Sequence, residues 1–260
     1  MSPEAPPSPD ISAYYERYWS EEGYDPVNTF PVPLREILEM HVRYTDDCID
    51  VGCGKGTGIG RWLTLNARSY LGVDISETAV KAVSDSGLNA RQISDASSIP
   101  CPDDSMDLAV CLEVFEHLLN PHLAAKEILR ILRPGGRLIA TVPNIAHWRR
   151  RADLALIGRW NPLGDDQAVR RPWRDPHIRF FGRPNLRDML TEAGFESVEA
   201  GGFSGPFLTD LPRLHRFVRG ERPGPIYGWL IRKFPGLFGR SLYAIAVKST
   251  RPGLPPAENP

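Results

Sequence analysis

The sequence predicts an α/β fold built on a largely parallel sheet with helices on both faces. Three observations lead there. Short apolar runs recur along the chain, each separated from the next by a segment long enough for a helix. A glycine-dense turn, "GCGKGTG", follows the first run directly. Asp50, Asp74 and Asp95 stand at the ends of the first three runs. Strands joined through helix-length segments pair in parallel through right-handed crossovers.

The elements follow in order. Residues 1–10 hold four prolines and little to bury, so disorder is expected there and in the tail "RPGLPPAENP" (251–260). Residues 11–44 are expected to form capping helices, with "YYERYW" placing Tyr15, Tyr18 and Trp19 on one helical face. The main domain is assigned to 45–250. "CIDVG" (48–52) is the first strand and "SYLGVD" (69–74) the second. Ser76 then fits an N-cap, and Ala79, Val80 and Val83 give a helical stripe. "ARQIS" (90–94) and "MDLAVCL" (106–112) are the third and fourth strands. Asn120 and Pro121 sit like N-cap and first residue of the helix "HLAAKEILRIL", which "RPGG" stops. "RLIATVP" (137–143) is the fifth strand. Pro184 opens the helix "NLRDMLTEA" and Gly194 closes it. "FESVEA" and "SLYAIAVKS" are the last strands, and the alternation Leu242, Ala244, Ala246 suits an antiparallel place.

Bulk properties exclude some classes. The 260 residues are 42% hydrophobic and 24% charged, an ordinary globular balance. A net charge of −1 singles out no partner. The four cysteines form no C-x-x-C pair, which argues against structural zinc. No window approaches the about 20 apolar residues of a membrane span, and the expected location is the cytoplasm.

The turn after the first strand carries glycines at 52, 54, 56 and 58. Glycine there permits φ > 0 and a close approach of ligand to backbone. A dinucleotide fingerprint needs G-x-G-x-x-G. Counted from Gly52 its third glycine falls on Thr57, and from Gly54 on Ile59. This disfavours an NAD dehydrogenase. The G-x-G-x-G pattern suits a zwitterionic amino-acid end instead, with Asp50 as acceptor for its ammonium. Asp74 suits both hydroxyls of a ribose, and Asp95 followed by Ala96 suits an adenine amine. Each acid also suits a plain N-cap.

"DVGCGKGTG", "VDIS", "SDASSIPCPDDSMDLAVCLEVFEHL" and "LRPGGRLIATVPN" together resemble the successive motifs of class I S-adenosylmethionine-dependent methyltransferases, over about residues 45–200. The resemblance implies a Rossmann-like seven-stranded sheet of order 3-2-1-4-5-7-6 with strand 7 antiparallel. It implies S-adenosylmethionine as methyl donor. Asp50, Gly52, Gly54 and Gly56 would hold its methionine end, Asp74 and Ile75 the ribose, Asp95 and Ala96 the adenine, and Glu113 would touch the same pocket. "VPNIAHWRRRADLALIGRW" with "HIRFFGRPNLRDMLTEAGF" is similar to bacterial enzymes of glycan and natural-product pathways, although the linker "NPLGDDQAVRRPWRDP" departs from them.

"CLEVFEHL" (111–118) interrupts an apolar run with Glu113, Glu116 and His117. If the chain enters a helical turn there, the three share one face. "ExxEH" at this place resembles ubiquinone-pathway O-methyltransferases and small-RNA 2′-O-methyltransferases, where such residues bind a divalent metal completed by a later histidine, here His177. Three readings stand side by side. Glu113, Glu116, His117 and His177 hold Mg²⁺ or another divalent metal. His117 or His177 is a metal-free general base. Or the group shapes the pocket only.

Residues 149–187 carry ten arginines against four aspartates, with Trp148, Trp160, Trp173, Phe180 and Phe181 nearby. Residues 204–240 carry Arg213, Arg216, Arg219, Arg222, Arg232, Lys233 and Arg240 against Asp210 and Glu221. Insertions at about 144–183 and 204–240 are expected lids, acceptor surfaces or a homodimer face. Their charge predicts a phosphorylated, nucleotide-linked or carboxylated small-molecule acceptor. A pI of 6.6 and the lack of an appended RNA module disfavour nucleic acid. "IYGWLIRKFPGLFG" (226–239) suits contact with a membrane surface. The expected function is methyl transfer to an oxygen of a small glycan-like or secondary-metabolite acceptor. Transfer to an amine nitrogen, or non-catalytic binding of the donor, are the alternatives.

Overall fold

The computed structural model describes residues 11–20, 31–56, 58–159, 177–206, 220 and 222–250. Helices α1 (Ile11–Ser20) and α2 (Val32–His41) precede strand β1 (Asp47–Val51). There follow α3 (Ile59–Asn66), β2 (Ser69–Asp74), α4 (Glu77–Asp85), β3 (Ala90–Gln92) and β4 (Met106–Leu112). A 3₁₀ turn at Phe115–His117 leads to α5 (Pro121–Ile131) and β5 (Leu132–Pro143). The chain closes with α6 (Trp148–Ile157), α7 (Arg183–Ala193), β6 (Ser197–Phe203), α8 (Pro225–Lys233), α9 (Pro235–Phe238) and β7 (Ser241–Val247).

The sheet has seven strands in the order β3-β2-β1-β4-β5-β7-β6, as expected. β7 runs antiparallel to both β5 and β6, pairing Ile139 with Ile245 and Glu199 with Ile245. Side chains alternate across a strand, and here both faces are apolar. Ile49 and Val51 of β1 with Ala109 and Cys111 of β4 face Ile128 of α5 and Leu186 and Leu190 of α7. Cys48 of β1 with Leu108 and Val110 of β4 face Leu38 of α2, Leu63 of α3 and Val83 of α4. Helices therefore cover both faces, and the strand ends remain as the open edges.

Several boundaries move. β3 stops at Gln92, because its ladder with β2 holds only Gly72–Asp74 against Ala90–Gln92. Asp95 thus lies in a loop and not on a strand end, a correction to the expectation. α5 ends at Ile131, ahead of "RPGG", which lies within β5 and does not stop the helix as expected; the chain is extended from Leu132, and the pairing with β4 jumps from Met106↔Leu132 to Leu108↔Arg137. Ser76 caps α4 as expected, its hydroxyl accepting from the Ala79 amide at 3.1 Å. Asn120 precedes Pro121 but makes no side-chain cap bond. Among the described residues no helix is long and apolar enough to cross a membrane. The expected disorder at 1–10 and 251–260, the aromatic pair Trp160 and Trp173, the arginines at 170–174, and residues 207–219 with Glu221 all lie outside the described residues.

Candidate functional site

The site forms at the carboxyl edge of the sheet, where ligands of open parallel sheets settle. The glycine turn is left-handed at three places, with φ of 76° at Gly52, 52° at Gly54 and 53° at Gly56. A β-carbon on Gly52 would stand 2.4 Å from Val114 Cγ2, and one on Gly54 would stand 2.7 Å from the Trp19 ring. The turn is stitched to β2. The Gly52 and Cys53 amides donate to the Val73 carbonyl at 2.8 and 3.1 Å. The Gly54 amide donates to Asp74 Oδ2 at 2.8 Å, and the Ser76 amide to Asp74 Oδ1 at 2.9 Å.

Burial pushes the Asp74 carboxyl up, while those amides pull it down. Asp50 is buried beneath the turn and accepts from the Tyr70 hydroxyl at 3.3 Å. Burial, reinforced by the Asp74 charge, pushes Asp50 up to about 7. Ile75 follows Asp74 and its carbonyl accepts from Gln92 Nε2 at 3.0 Å. Asp95 is exposed, with Oδ1 accepting from the Ser97 amide at 2.6 Å, and Ala96 beside it is buried. Asp50, the three glycines and Asp74 thus meet at one edge, and Asp95–Ala96 flank it in the loop after β3. The bare backbone at Gly52–Gly56 and the two buried acids fit a ligand with a carboxylate, an ammonium and a diol.

Helix α1 lies over this edge. Glu16 accepts from the Ser76 hydroxyl at 2.7 Å and from the Thr78 amide at 3.1 Å, and it also binds the Thr78 hydroxyl. These bonds hold its carboxyl below the usual range. They fasten α1 to the start of α4, where a carboxylate also meets the positive end of the helix dipole. Trp19 then covers Gly54, and the Tyr15 ring stands edge-on to His117 with centroids 5.8 Å apart. Tyr15 and Trp19 were visible in the sequence as one helical face. Glu16 was not, since its partners lie 60 residues away.

Beyond β4 the chain does not enter a regular helix. Glu113 takes φ 55°, a left-handed conformation uncommon for a side chain of this kind, while its amide still donates to the Thr141 carbonyl at 2.9 Å. The 3₁₀ turn follows. Glu113 therefore does not share a helical face with Glu116 and His117, which corrects the expectation. Glu113 keeps exposed surface, while the protein packed around its carboxyl desolvates it. That surrounding pushes it up to about 7, with the Thr141 hydroxyl and Arg150 guanidinium pulling it down.

Glu116 points the other way, into the interior, with 1% exposure. Among the described residues neither carboxylate oxygen has a hydrogen-bond partner. His177 Nε2 lies 3.8 Å and His117 Nε2 3.9 Å from Glu116 Oε1, and the two rings are 4.6 Å apart. His177 arrives because the Ile178 and Arg179 amides donate to the Glu116 carbonyl at 2.9 and 3.0 Å. Burial and the nearby Glu113 charge push the Glu116 carboxyl well up. Burial and Arg150 lower His177 to about 4, so it is neutral at physiological pH. Donor atoms of Glu116, His117 and His177 all fall within 4.8 Å of one another, and Glu113 is not among them. An orphaned buried carboxylate facing two imidazoles is a donor set that fits a divalent transition ion. Arg150, buried on the first turn of α6, was missed in the sequence because only its place in the fold distinguishes it from its arginine neighbours.

A seven-stranded sheet with a reversed last strand, a G-x-G-x-G turn and acids at the ends of β1 and β2 is the architecture of class I S-adenosylmethionine-dependent methyltransferases. Residues 21–200 match the family described as "Methyltransferase domain", and the chain belongs to that family. It is 30% identical over 171 residues to a Mycobacterium tuberculosis protein described as a probable S-adenosylmethionine-dependent methyltransferase, covering 65% of this chain and 56% of that one. It is 25% identical over 224 residues to the ubiquinone biosynthesis O-methyltransferase of Marinobacter nauticus, covering 80% of this chain and 89% of that one. An S-adenosylmethionine-dependent methyltransferase structure from Mesorhizobium loti shares the fold with a TM-score of 0.57 at 20% identity, over 83% of this chain and 97% of that one. The chain spans a little over half the length of the mycobacterial relative it matches.

Proposed function

We propose that this protein transfers the methyl group of S-adenosylmethionine to a hydroxyl oxygen of a small acceptor, glycan-like or a secondary metabolite, that carries negative charge. The observation that carries the oxygen reading is the buried Glu116 with His177 and His117 at 3.8 and 3.9 Å, next to Glu113 at the end of β4. Transfer to a hydroxyl must remove a proton, and this cluster supplies groups for that task. The relatives that share this reading include the Marinobacter protein and, at 34% identity over 106 residues, the 27-O-demethylrifamycin SV methyltransferase of Amycolatopsis mediterranei.

The chain's own residues divide the work. The bare α-carbons of Gly52, Gly54 and Gly56 let the donor's carboxylate end approach the turn, while Asp50 takes its ammonium and Asp74 the ribose hydroxyls. Trp19 and Tyr15 exclude water from above, and Glu113 borders the methyl end. Alignment of donor and acceptor oxygen for in-line displacement is the main catalytic contribution. The acceptor's O–H bond breaks and its proton leaves to solvent, its oxygen forms the new O–C bond, and the donor's S–C bond breaks with its electron pair left on sulfur. Glu116, His117 and His177 would hold a divalent metal, which when bound would lower the pKa of a coordinated hydroxyl. His177, kept neutral by burial, is suited to a ligand role. Arg150, whose guanidinium acts on both the Glu113 carboxyl and the His177 imidazole, supports an anionic acceptor.

The test is a screen of carboxylated, phosphorylated and nucleotide-linked alcohols for transfer of labelled methyl. It is run before and after chelation, with Mn²⁺ binding to the protein followed separately by calorimetry. Labelled O-methyl product and Mn²⁺ binding that Glu116→Gln weakens at least tenfold support the proposal. Turnover unaffected by chelator moves the proton to His117 without a metal. N-methyl products alone sink the oxygen reading.

A further inference from the structure

Helices α8 and α9 form a small block beside β6 and β7. Asn144, at the end of β5, binds it through Nδ2 to the carbonyls of Gly236 at 3.0 Å and Gly239 at 2.7 Å. Tyr227 of α8 donates to the Phe238 carbonyl at 3.0 Å and lies 3.5 Å from His147 Nε2. Tyr227, Gly228 and Ile231 are the buried side of α8.

The other side has a different chemistry. Arg222, Ile226, Trp229, Arg232 and Lys233 recur at helical spacing and are all exposed. Ile226 is 77% exposed, Trp229 48% and Phe234 46%. Lys233 Nζ sits 5.0 Å over the Trp229 ring and 5.7 Å over that of Phe234. The sequence from 222 to 240 carries four cations and no carboxylate. Glu36 of α2 reaches its edge and pairs with Arg222 at 2.8 Å.

We propose that this face docks the protein onto an anionic lipid bilayer. Ile226, Trp229 and Phe234 enter the headgroup–acyl boundary, and Arg232 and Lys233 meet lipid phosphates. A short helix with aromatic and aliphatic residues on one outward stripe and cations at its flank lies in the plane of such an interface. The indole settles at headgroup depth. The long cationic side chains lay their methylenes on the apolar stripe and raise their charges to the phosphates. A two-fold contact between copies would set Arg232 and Lys233 against the same cations of the second copy, and among the described residues the carboxylate at this edge, Glu36, is already paired with Arg222. A nucleic acid would gain nothing from Ile226 at the centre of the stripe. The block is bound to Asn144 and His147 at the carboxyl end of β5, the edge that carries the candidate site. Docking therefore brings that edge toward the bilayer.

Co-sedimentation of the full chain with phosphatidylcholine vesicles, with and without phosphatidylglycerol, tests this. Binding is expected on the anionic vesicles alone and is expected to weaken as salt rises. Arg232→Gln with Lys233→Gln should weaken it about 25-fold, at about fivefold per cation. Trp229→Ala should weaken it about tenfold by removing buried apolar surface. Melting temperature and S-adenosylmethionine affinity should stay as in the wild type, since none of these residues borders the candidate site. No partition onto anionic vesicles overturns the proposal, and so does partition that the variants leave unchanged. Light scattering that shows a dimer lost in Trp229→Ala overturns it in favour of a second copy of this chain.

Discussion

The ionisation of Asp50 tests the cofactor reading with a sign as well as a size. The carboxyl is 4% exposed and accepts only from the Tyr70 hydroxyl among the described residues. Burial and the Asp74 charge raise it to about 7, so below that pH the ligand-free protein holds a proton there. An ammonium set against it favours the ionised form, so binding must expel that proton. At pH 6 about one site in eleven is ionised, so affinity should be about tenfold below its plateau, and at pH 5 about a hundredfold. Above pH 7 the curve flattens, since the ligand's own amine stays charged up to about pH 7.7. Calorimetric titration with S-adenosylmethionine between pH 5.5 and 7.5, in two buffers of different ionisation enthalpy, reads both slope and proton count. Release of about 0.9 proton is expected at pH 6. Asp50→Asn should abolish the slope. Glu113 also rises to about 7, so Glu113→Gln is the control, and it should keep the slope. A flat wild-type profile refutes the reasoning, as does a slope that survives in Asp50→Asn.

Three further outcomes follow from the packing. Gly52→Ala puts a β-carbon 2.4 Å from Val114 Cγ2 at a φ of 76°, so about 1–2 kcal/mol of strain and at least tenfold weaker S-adenosylmethionine binding are expected, read by melting and calorimetry. Glu16→Ala removes the acceptor of the Ser76 and Thr78 donors, and α1 should then be cleaved faster by trypsin at Arg17 and release the cofactor faster in stopped flow. Asp46→Ala leaves the Arg137 guanidinium buried with, among the described residues, the His41 carbonyl alone to donate to, and urea unfolding should show a loss of about 3–5 kcal/mol.

How much of this was legible in the sequence depended on the range of the interaction. The strands were readable because parallel central strands are apolar on both faces, as "CIDV" and "MDLAV" are. Ser76 was readable because a cap acts over three residues. The short β3 was not, since its length is set by where β2 ends at Asp74, a partner's property. Nor was the left-handed Glu113, because "ExxEH" looks helical by spacing and only the bond of its amide to Thr141 shows the strand persisting beneath it. His177 entered through a family resemblance. What carries it there is a pair of backbone amides, those of Ile178 and Arg179, which no side-chain pattern encodes.

The distinction between a working cluster and a packing accident at Glu116 has a thermodynamic signature. A carboxyl with 1% exposure and two oxygens lacking hydrogen bonds among the described residues costs the fold roughly 1–3 kcal/mol relative to a satisfied or apolar side chain. Its backbone carbonyl, not its side chain, holds the Ile178 and Arg179 amides, so a leucine there keeps the docking of the His177 segment. Glu116→Leu should therefore stabilise the protein by about 1–3 kcal/mol, a rise of several degrees in melting temperature for a domain of this size. The same substitution should abolish methyl transfer and leave S-adenosylmethionine affinity near that of the wild type. Stability gained as turnover is lost is what a site maintained against the interest of the fold predicts. A destabilised Glu116→Leu protein would mean that the carboxyl bonds to the imidazoles as a structural tie, and the cluster would lose its claim to the chemistry.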